Sequence, residues 1–360
     1  MAGAGFHEPG GAEGMTADSL AKAPGALIRL GCALMGSGRG DQAHALLSGL
    51  LLAHPDDPEL RSAVRVVMSH RIPHWHSAML LDEARNAAFE RAIARAAPNR
   101  VVLDIGTGSG LLALMAARAG ASRVVACEAH PALAETARRI IERNGFADSI
   151  TILGRLSTEL DAREDLGGGA EVIIAEVFSD DLLNEGALAT LHHARTRLAA
   201  PGARIIPARA SVRFALARFD RAPDSLGDVR GFDLSEFERH LAPEIKLHVG
   251  GKELRLASEA ADLFTFDFAG TEAFAPSRRE VRVTGTEGPS NGLVQWIGLQ
   301  LDEDVFHENR PEAGARSHWA ALFHPFPDGC ELAQGGSVTV HAAHDLERLQ
   351  IWFSDLDGTG

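Results

Sequence analysis

The sequence predicts an α/β chain in three parts: a helical hairpin, a parallel sheet covered on both faces by helices, and an all-β domain closing into a barrel. Three observations carry this. Residues 100–128, RVVLDIGTGSGLLALMAARAGASRVVACE, read as strand, glycine turn, helix, strand. Strands and helices go on alternating to Pro207, the pattern of a parallel sheet. Beyond Ala208 the chain changes to short strands separated by Gly, Pro and Asp turns, which predicts a barrel or sandwich.

Composition sets the outer bounds. The 360 residues are enough for about two domains, and 45% hydrophobic with 23% charged residues is ordinary for a globular protein with a real core. The net charge of −14 disfavours direct binding to nucleic acid and suits encounter with a cationic substrate, although solubility alone is the simpler reading of charge taken by itself. Cys32, Cys127 and Cys330 lie far apart without metal-ligand spacing, so reduced thiols and a cytoplasmic location are expected. No signal-like stretch opens the chain and no apolar run approaches the ~18 residues of a membrane span, so no membrane partner is expected.

Taken in order, residues 1–18 are rich in Gly and Ala without periodicity and are expected to be a disordered tail. Residues 19–72 carry Leu27, Leu30, Gly31, Leu34, Ala43, Leu47 and Pro55 at the spacing of a tetratricopeptide-like hairpin, with its turn at Gly36-Ser37-Gly38 and a third helix around Glu59–Ser69. One repeat cannot bury its own faces, so a structural cap is expected here, with peptide binding as the alternative. Residues 73–208 are expected to form the helix-covered parallel sheet. His74 and His76 flank Trp75, but positions two apart do not share a helix face and no further ligand lies nearby, so no metal is expected. Met79–Asn86 runs into a helix through Ala94, broken at Pro98. After Glu128 come a helix from Pro131 to Asn144, a strand at Ile150–Leu153, a strand at Val172–Ala175 leading into Glu176, a helix over Glu185–Leu198 and a strand at Ala203–Pro207. Residues 209–360 supply strands at Ser211–Ala217, Leu254–Ala257, Leu263–Phe268, Glu280–Val283, Leu293–Leu301, His318–His324, Ser337–His341 and Leu349–Phe353, with one helix around Leu234–His240.

The glycine turn is where chemistry begins. Asp104, Gly106, Gly108 and Gly110 place glycines at every second position after the first strand, and Glu128 ends the second strand, where a carboxylate can accept both hydroxyls of a ribose. The spacing is not the dinucleotide G-x-G-x-x-G. It resembles motif I of the class I S-adenosylmethionine methyltransferases, which implies a Rossmann-like methyltransferase sheet and S-adenosylmethionine as cofactor.

Between a strand end and the next helix lies Glu176-Val177-Phe178-Ser179-Asp180-Asp181-Leu182-Leu183-Asn184-Glu185-Gly186. Together with the glycine turn this stretch resembles the double-glutamate loop of the protein arginine methyltransferases, and the likeness runs from about Trp75 to the C-terminus. The phrases Asn184–Leu188 and Leu156–Glu159 look nearest to divergent branches, one monomethylating and one bearing tetratricopeptide helices. The resemblance implies that Glu176 and Glu185 hold an arginine guanidinium in a protein or peptide. It implies that His76 and Arg85 contact the cofactor carboxylate and that Met79 lies beside the sulfonium, which leaves adenine to the Ser157 hydroxyl or to backbone around Leu156. It also implies that Asp82 pairs with His318, that Trp319 of Ser317-His318-Trp319 walls the slot, and that a dimerisation arm near residues 219–245 makes a homodimer. Two departures stand out: the chain has no tyrosine, with Trp75 and Phe178 in the neighbourhood where the family places them, and Ser157 stands where several relatives have glutamate. The rival readings are a methyltransferase for another side chain or a cationic small molecule, and a non-enzymatic dimeric scaffold.

Overall fold

A computed structural model describes residues 24–36, 39–54, 56–69, 75–220 and 226–359. The expected tail at 1–18, the turn residues Ser37 and Gly38, Pro55, and His74 lie outside the described residues, as do the side chains of Trp75 and His76. The chain divides into two units, Met1–His76 and Ser77–Gly360.

In the first unit α1 (Pro24–Gly36), α2 (Gly40–Ala53) and α3 (Pro58–Ser69) bury Leu27, Leu47, Leu50, Leu60 and Val64 against one another. A Cβ on Gly31 would come 2.9 Å from Leu47 Cδ2, so α1 approaches α2 closely only because that position has no side chain.

In the second unit β1 (Val101–Ile105), β2 (Arg123–Cys127), β3 (Ile150–Leu153), β4 (Ala170–Ala175) and β5 (Ala199–Ile206) form a fully parallel sheet in the order β3-β2-β1-β4-β5. Burial on both faces explains why these strands read as unbroken apolar runs rather than alternating ones. The order reverses between β1 and β4, which opens a crevice at their carboxyl ends. The helices of this layer are α5 (Glu83–Ala96), α6 (Leu111–Arg118), α7 (Pro131–Arg143) and α8 (Ala187–His193). α7 begins with Pro131 in its first turn and buries a stripe of Ala134, Ala137 and Ile141.

Two helix boundaries differ from expectation and both matter to the site. The helix expected through Met79–Ala94 is split into α4 (Trp75–Leu80) and α5, because Asp82 leaves the helical conformation and its side chain accepts the Arg85 N–H at 3.0 Å as an N-cap. The helix expected from Glu185 begins at Ala187, with Gly186 left-handed at φ +69°, so Glu185 lies on the loop. Its far end, Ala194–Leu198, widens into a π turn.

The antiparallel domain contains β6 (Arg209–Phe219), β7 (Ile245–Leu247), β8 (Leu254–Leu256), β9 (Ala261–Asp267), β10 (Ser277–Thr284), β11 (Gly292–Gln300), β12 (Phe306–Glu308), β13 (Ala321–Pro325), β14 (Leu332–His344) and β15 (Leu349–Thr359). One sheet runs β7-β13-β11-β6-β8 with β9 on β6 and β12 on β11; the other runs β10-β14-β15. β6 is buried on both faces by its period of two: Val212, Phe214 and Leu216 join the core shared with the parallel sheet, and Ala215 and Ala217 pack with Trp296 and Phe323. The short strands β7 and β12 were not apparent from sequence, and Ser317-His318-Trp319 precedes β13 as a loop instead of opening it. The helix expected around Leu234–His240 is a 3₁₀ turn, Ser235–His240. Among the described residues no helix is long and apolar enough to cross a membrane.

Candidate active site

Three strand ends converge on the crevice. β1 leads into Gly106, whose φ is +69° and whose Cβ, if present, would lie 2.8 Å from Val177 Cγ1. Only glycine fits that turn, and Gly108 and Gly110 follow it with positive φ. β2 leads into Glu128. Its Oε2 accepts the Gly108 N–H at 3.0 Å and its Oε1 the His130 N–H at 2.8 Å, so the carboxylate is locked to the glycine turn by backbone donors. Asp104, inside β1, is buried and accepts the Thr107 hydroxyl at 2.6 Å. Burial pushes its carboxyl up to about 6, opposed by the Thr107 bond and by the Arg85 charge.

β4 leads into Glu176. Its Oε2 lies 2.6 Å from Arg85 Nη2, and both side chains are nearly fully buried. Burial raises the Glu176 carboxyl, with Arg85 opposing. Arg85 donates Nη1 to Asn86 at 2.8 Å and packs 4.9 Å from the centre of the Phe89 ring. Its Nε is buried and without a partner among the described residues, which leaves one guanidinium N–H for an acceptor the chain does not supply.

Glu185 stands at the far end of the same loop and is exposed. Partial burial and the nearby negative charges of Glu176, Asp180 and Asp181 raise its carboxyl. Asp181 winds the loop from inside, accepting the Ser179 hydroxyl and the N–H groups of Leu183 and Asn184. Leu182 takes φ +76°, which a non-glycine residue adopts only under constraint.

The opposite wall comes from the loop before β13. Asp82 Oδ2 accepts both the backbone N–H of His318, at 3.1 Å, and its Nδ1, at 3.0 Å. Burial works to raise the Asp82 carboxyl, but the His318 and Arg85 hydrogen bonds overcome it and bring it down to about 2. Trp319 is buried, its ring 4.0 Å from that of His318, and its Nε1 donates to the Phe178 carbonyl at 2.9 Å.

The structure thus brings Asp82, Arg85, Asp104, the glycine turn, Glu128, Glu176, Glu185, His318 and Trp319 to one rim of the unit. Met79 is half-buried on α4, Ser157 is buried, and Leu156 is exposed with its N–H engaged by the Glu159 carboxylate at 3.0 Å. Three further side chains border the site without a local sequence pattern that singles them out: Asp180, Lys246 and His307. Asp180 ties the loop to Ala320 and Lys246, and His307 of β12 sets its ring 6.0 Å from Trp319 while burial lowers its basicity. The only sequence signal for Asp180 was its acidity within a run of acids. Among the described residues no cluster of His, Cys, Asp or Glu is arranged to hold a metal.

A parallel sheet with a glycine turn, a carboxylate at the end of its second strand and an appended antiparallel domain defines a Rossmann-like methyltransferase. A family model described as ribosomal protein L11 methyltransferase (PrmA) matches residues 87–206. An arginine N(omega)-methyltransferase of Streptomyces achromogenes subsp. streptozoticus is 36% identical over 330 residues, covering 88% of this chain and 90% of that protein. Protein arginine N-methyltransferase 7 of Caenorhabditis briggsae is 30% identical over 318 residues, covering 77% of this chain and 47% of its own length. The chain therefore spans about half of that longer relative. In solved structures the fold is similar to the Trypanosoma brucei PRMT1 enzyme-prozyme heterotetrameric complex with AdoHcy, with a TM-score of 0.64, 23% identity, and coverage of 81% of this chain and 99% of that one. PRMT6 gives a TM-score of 0.58 at 20% identity, covering 78% and 99%. The chain belongs to the arginine N-methyltransferase family.

Proposed function

We propose that this enzyme transfers a methyl group from S-adenosylmethionine to a guanidinium nitrogen of arginine in a protein or peptide. The observation that carries the reading is the carboxylate pair at the two ends of one loop, Glu176 held by Arg85 and Glu185 surrounded by like charge. Close carboxylates repel unless a cation lies between them, and a guanidinium is a planar cation with donors matched to two carboxylates.

S-adenosylmethionine, when bound, supplies the electrophilic methyl on sulfur. The Gly106–Gly110 turn offers backbone room for it, Glu128 receives the ribose hydroxyls, and the partnerless Arg85 Nε suits its carboxylate. Met79, half-buried on α4, would line the sulfonium side, and Ser157 would take the adenine edge. The Leu156 N–H is already spent on Glu159, so the hydroxyl of Ser157 carries that contact.

Glu176 and Glu185 hold the guanidinium fork, draw its positive charge toward the nitrogens they bind, and leave one nitrogen aimed at the methyl carbon. A nitrogen–carbon bond forms as the carbon–sulfur bond breaks, and the methylated guanidinium gives up one proton. The raised carboxyl of Glu185 is the acceptor nearest solvent. Asp82 holds His318, and with it Trp319, as a fixed wall.

Incubation with methyl-labelled S-adenosylmethionine and a glycine/arginine-rich peptide, followed by hydrolysis to amino acids, should put label in methylarginine. Label confined to other residues would overturn the reading. A second reading, free arginine as acceptor, is favoured by the name of the Streptomyces relative, which specifies arginine without protein. Free L-arginine in a parallel incubation separates the two.

The enzyme acts as a homodimer in this proposal, supported by the excursion between β6 and β7, where Phe232, Leu234, Phe237 and Leu241 expose apolar side chains. A cytoplasmic setting is supported by three unpaired thiols, Cys32, Cys127 and Cys330.

A further inference from the structure

The loop from Glu176 to Glu185 has two kinds of restraint already described: Arg85 fixes its first carboxylate, and Asp181 winds its middle. Neither sets the distance between the loop and the opposite wall. That distance is set by hydrogen bonds that cross the gap. Trp319 Nε1 donates to the Phe178 carbonyl at 2.9 Å, and the very next residue, Ala320, donates its backbone N–H to Asp180 Oδ1 at 2.8 Å. The other oxygen of the same carboxylate, Oδ2, receives Lys246 Nζ at 2.8 Å. Lys246 sits on β7, paired in register with Leu322 of β13, so both donors to Asp180 belong to one rigid corner of the antiparallel sheet.

We infer that Asp180 is a positioning residue that fastens the carboxylate loop to the corner formed by β7 and β13, with Lys246 as its counter-ion. The inference rests on the guanidinium-holding role proposed for Glu176 and Glu185, and it adds what keeps their spacing fixed.

The two partners divide the work. The Lys246 side chain is 69% exposed, and a pair so open to water adds little stability of its own. The Ala320 N–H is the directional restraint. Lys246 has a different use: Asp180 adds negative charge beside Glu185, and the ammonium offsets it. The charged groups acting on Glu185 are Glu176, Asp180 and Asp181 on its own loop; Lys246 faces Asp180 from β7, and Arg85 and His318 face Glu176.

Asp180→Ala, Asp180→Asn and Lys246→Met separate these roles. Asp180→Ala should lower kcat about tenfold or more, as expected for a displaced catalytic group, while the Kd for S-adenosylhomocysteine stays within about twofold. Asp180→Asn keeps an oxygen for Ala320 and should restore most of that kcat. In pH profiles of kcat, Lys246→Met should move the acid limb upward and Asp180→Asn should move it downward, a pair of opposite shifts that loss of packing cannot produce. Amide hydrogen exchange at Ala320 should quicken in Asp180→Ala and stay slow in Asp180→Asn. Unchanged exchange at Ala320 in Asp180→Ala, or a kcat in Asp180→Asn as low as in Asp180→Ala, would overturn the inference. A wild-type enzyme that yields no methylarginine would overturn the reaction assignment instead, and the exchange measurement would still decide the anchor.

Discussion

The two ends of the loop between β4 and α8 present the same side chain in opposite conditions. Glu176 is buried and bound to Arg85; Glu185 is exposed and faces acids only. In the proposed reaction this difference makes the two-carboxylate grip asymmetric. One carboxylate is already held by Arg85, while the other carries unfavourable charge that a bound guanidinium would relieve. Burying both without Arg85 would drive a proton onto one of them.

The largest expected effect comes from neutralising either end. Glu176→Gln and Glu185→Gln should each lower kcat/KM by more than about a hundredfold, roughly 3 kcal/mol of transition-state binding. Cofactor affinity should separate them. Glu185→Gln leaves Arg85 untouched and should bind S-adenosylhomocysteine as the wild type does, whereas Glu176→Gln frees Arg85 from its ion pair and should shift that affinity, read by calorimetry. Equal cofactor affinities would mean that Arg85 does not link Glu176 to the cofactor site.

The next effect is on pH. Both carboxyls are raised, Glu176 by burial and Glu185 by partial burial and the acids beside it, and both must be ionised to hold a cation, so kcat/KM should fall on acidification at a pH above the ordinary carboxylate range. Arg85→Gln should push that limb higher still, because it removes the charge that opposes protonation of Glu176. A limb left where it was would sever the link between Arg85 and the first carboxylate.

The smallest effect concerns the wall opposite. The Asp82 carboxyl is lowered to about 2, so its ionised form stabilises the fold above its ordinary range, by roughly 2 kcal/mol, and that contribution fades as pH falls from about 4 toward 2. Asp104 has the opposite sign: raised to about 6, it favours the native state as pH drops below 6, until the unfolded chain also takes up the proton. Urea denaturation of Asp82→Asn should show its deficit in full at pH 7 and a smaller one at pH 3.

What was legible in the sequence follows from range. β1, β2 and the glycine turn could be read residue by residue, because burial on both faces and positive φ write themselves into local composition. The sequence pattern predicts a helix start at Glu185; the left-handed Gly186 moves the start two residues on and frees the carboxylate. The apolar neighbours of His318 and Trp319 predict a strand, whereas the bonds to Asp82 and to the Phe178 carbonyl hold the two residues in a loop. The contacts that assemble the site join residues 91 apart, in Arg85 and Glu176, and 140 apart, in Asp180 and Ala320. No local pattern encodes such pairs, and β7 and β12, three residues each, are too short to show a period.

In the proposed reaction Glu176 and Glu185 together recognise a planar cation. Calorimetric titration of the enzyme, loaded with S-adenosylhomocysteine, with a Gly-Arg-Gly peptide and with its neutral isostere Gly-citrulline-Gly tests it most directly. The arginine peptide should bind, the citrulline peptide little or not at all, and Glu185→Gln should lose the preference; equal affinity for the two peptides in the wild type would rule out recognition of the cation by the pair.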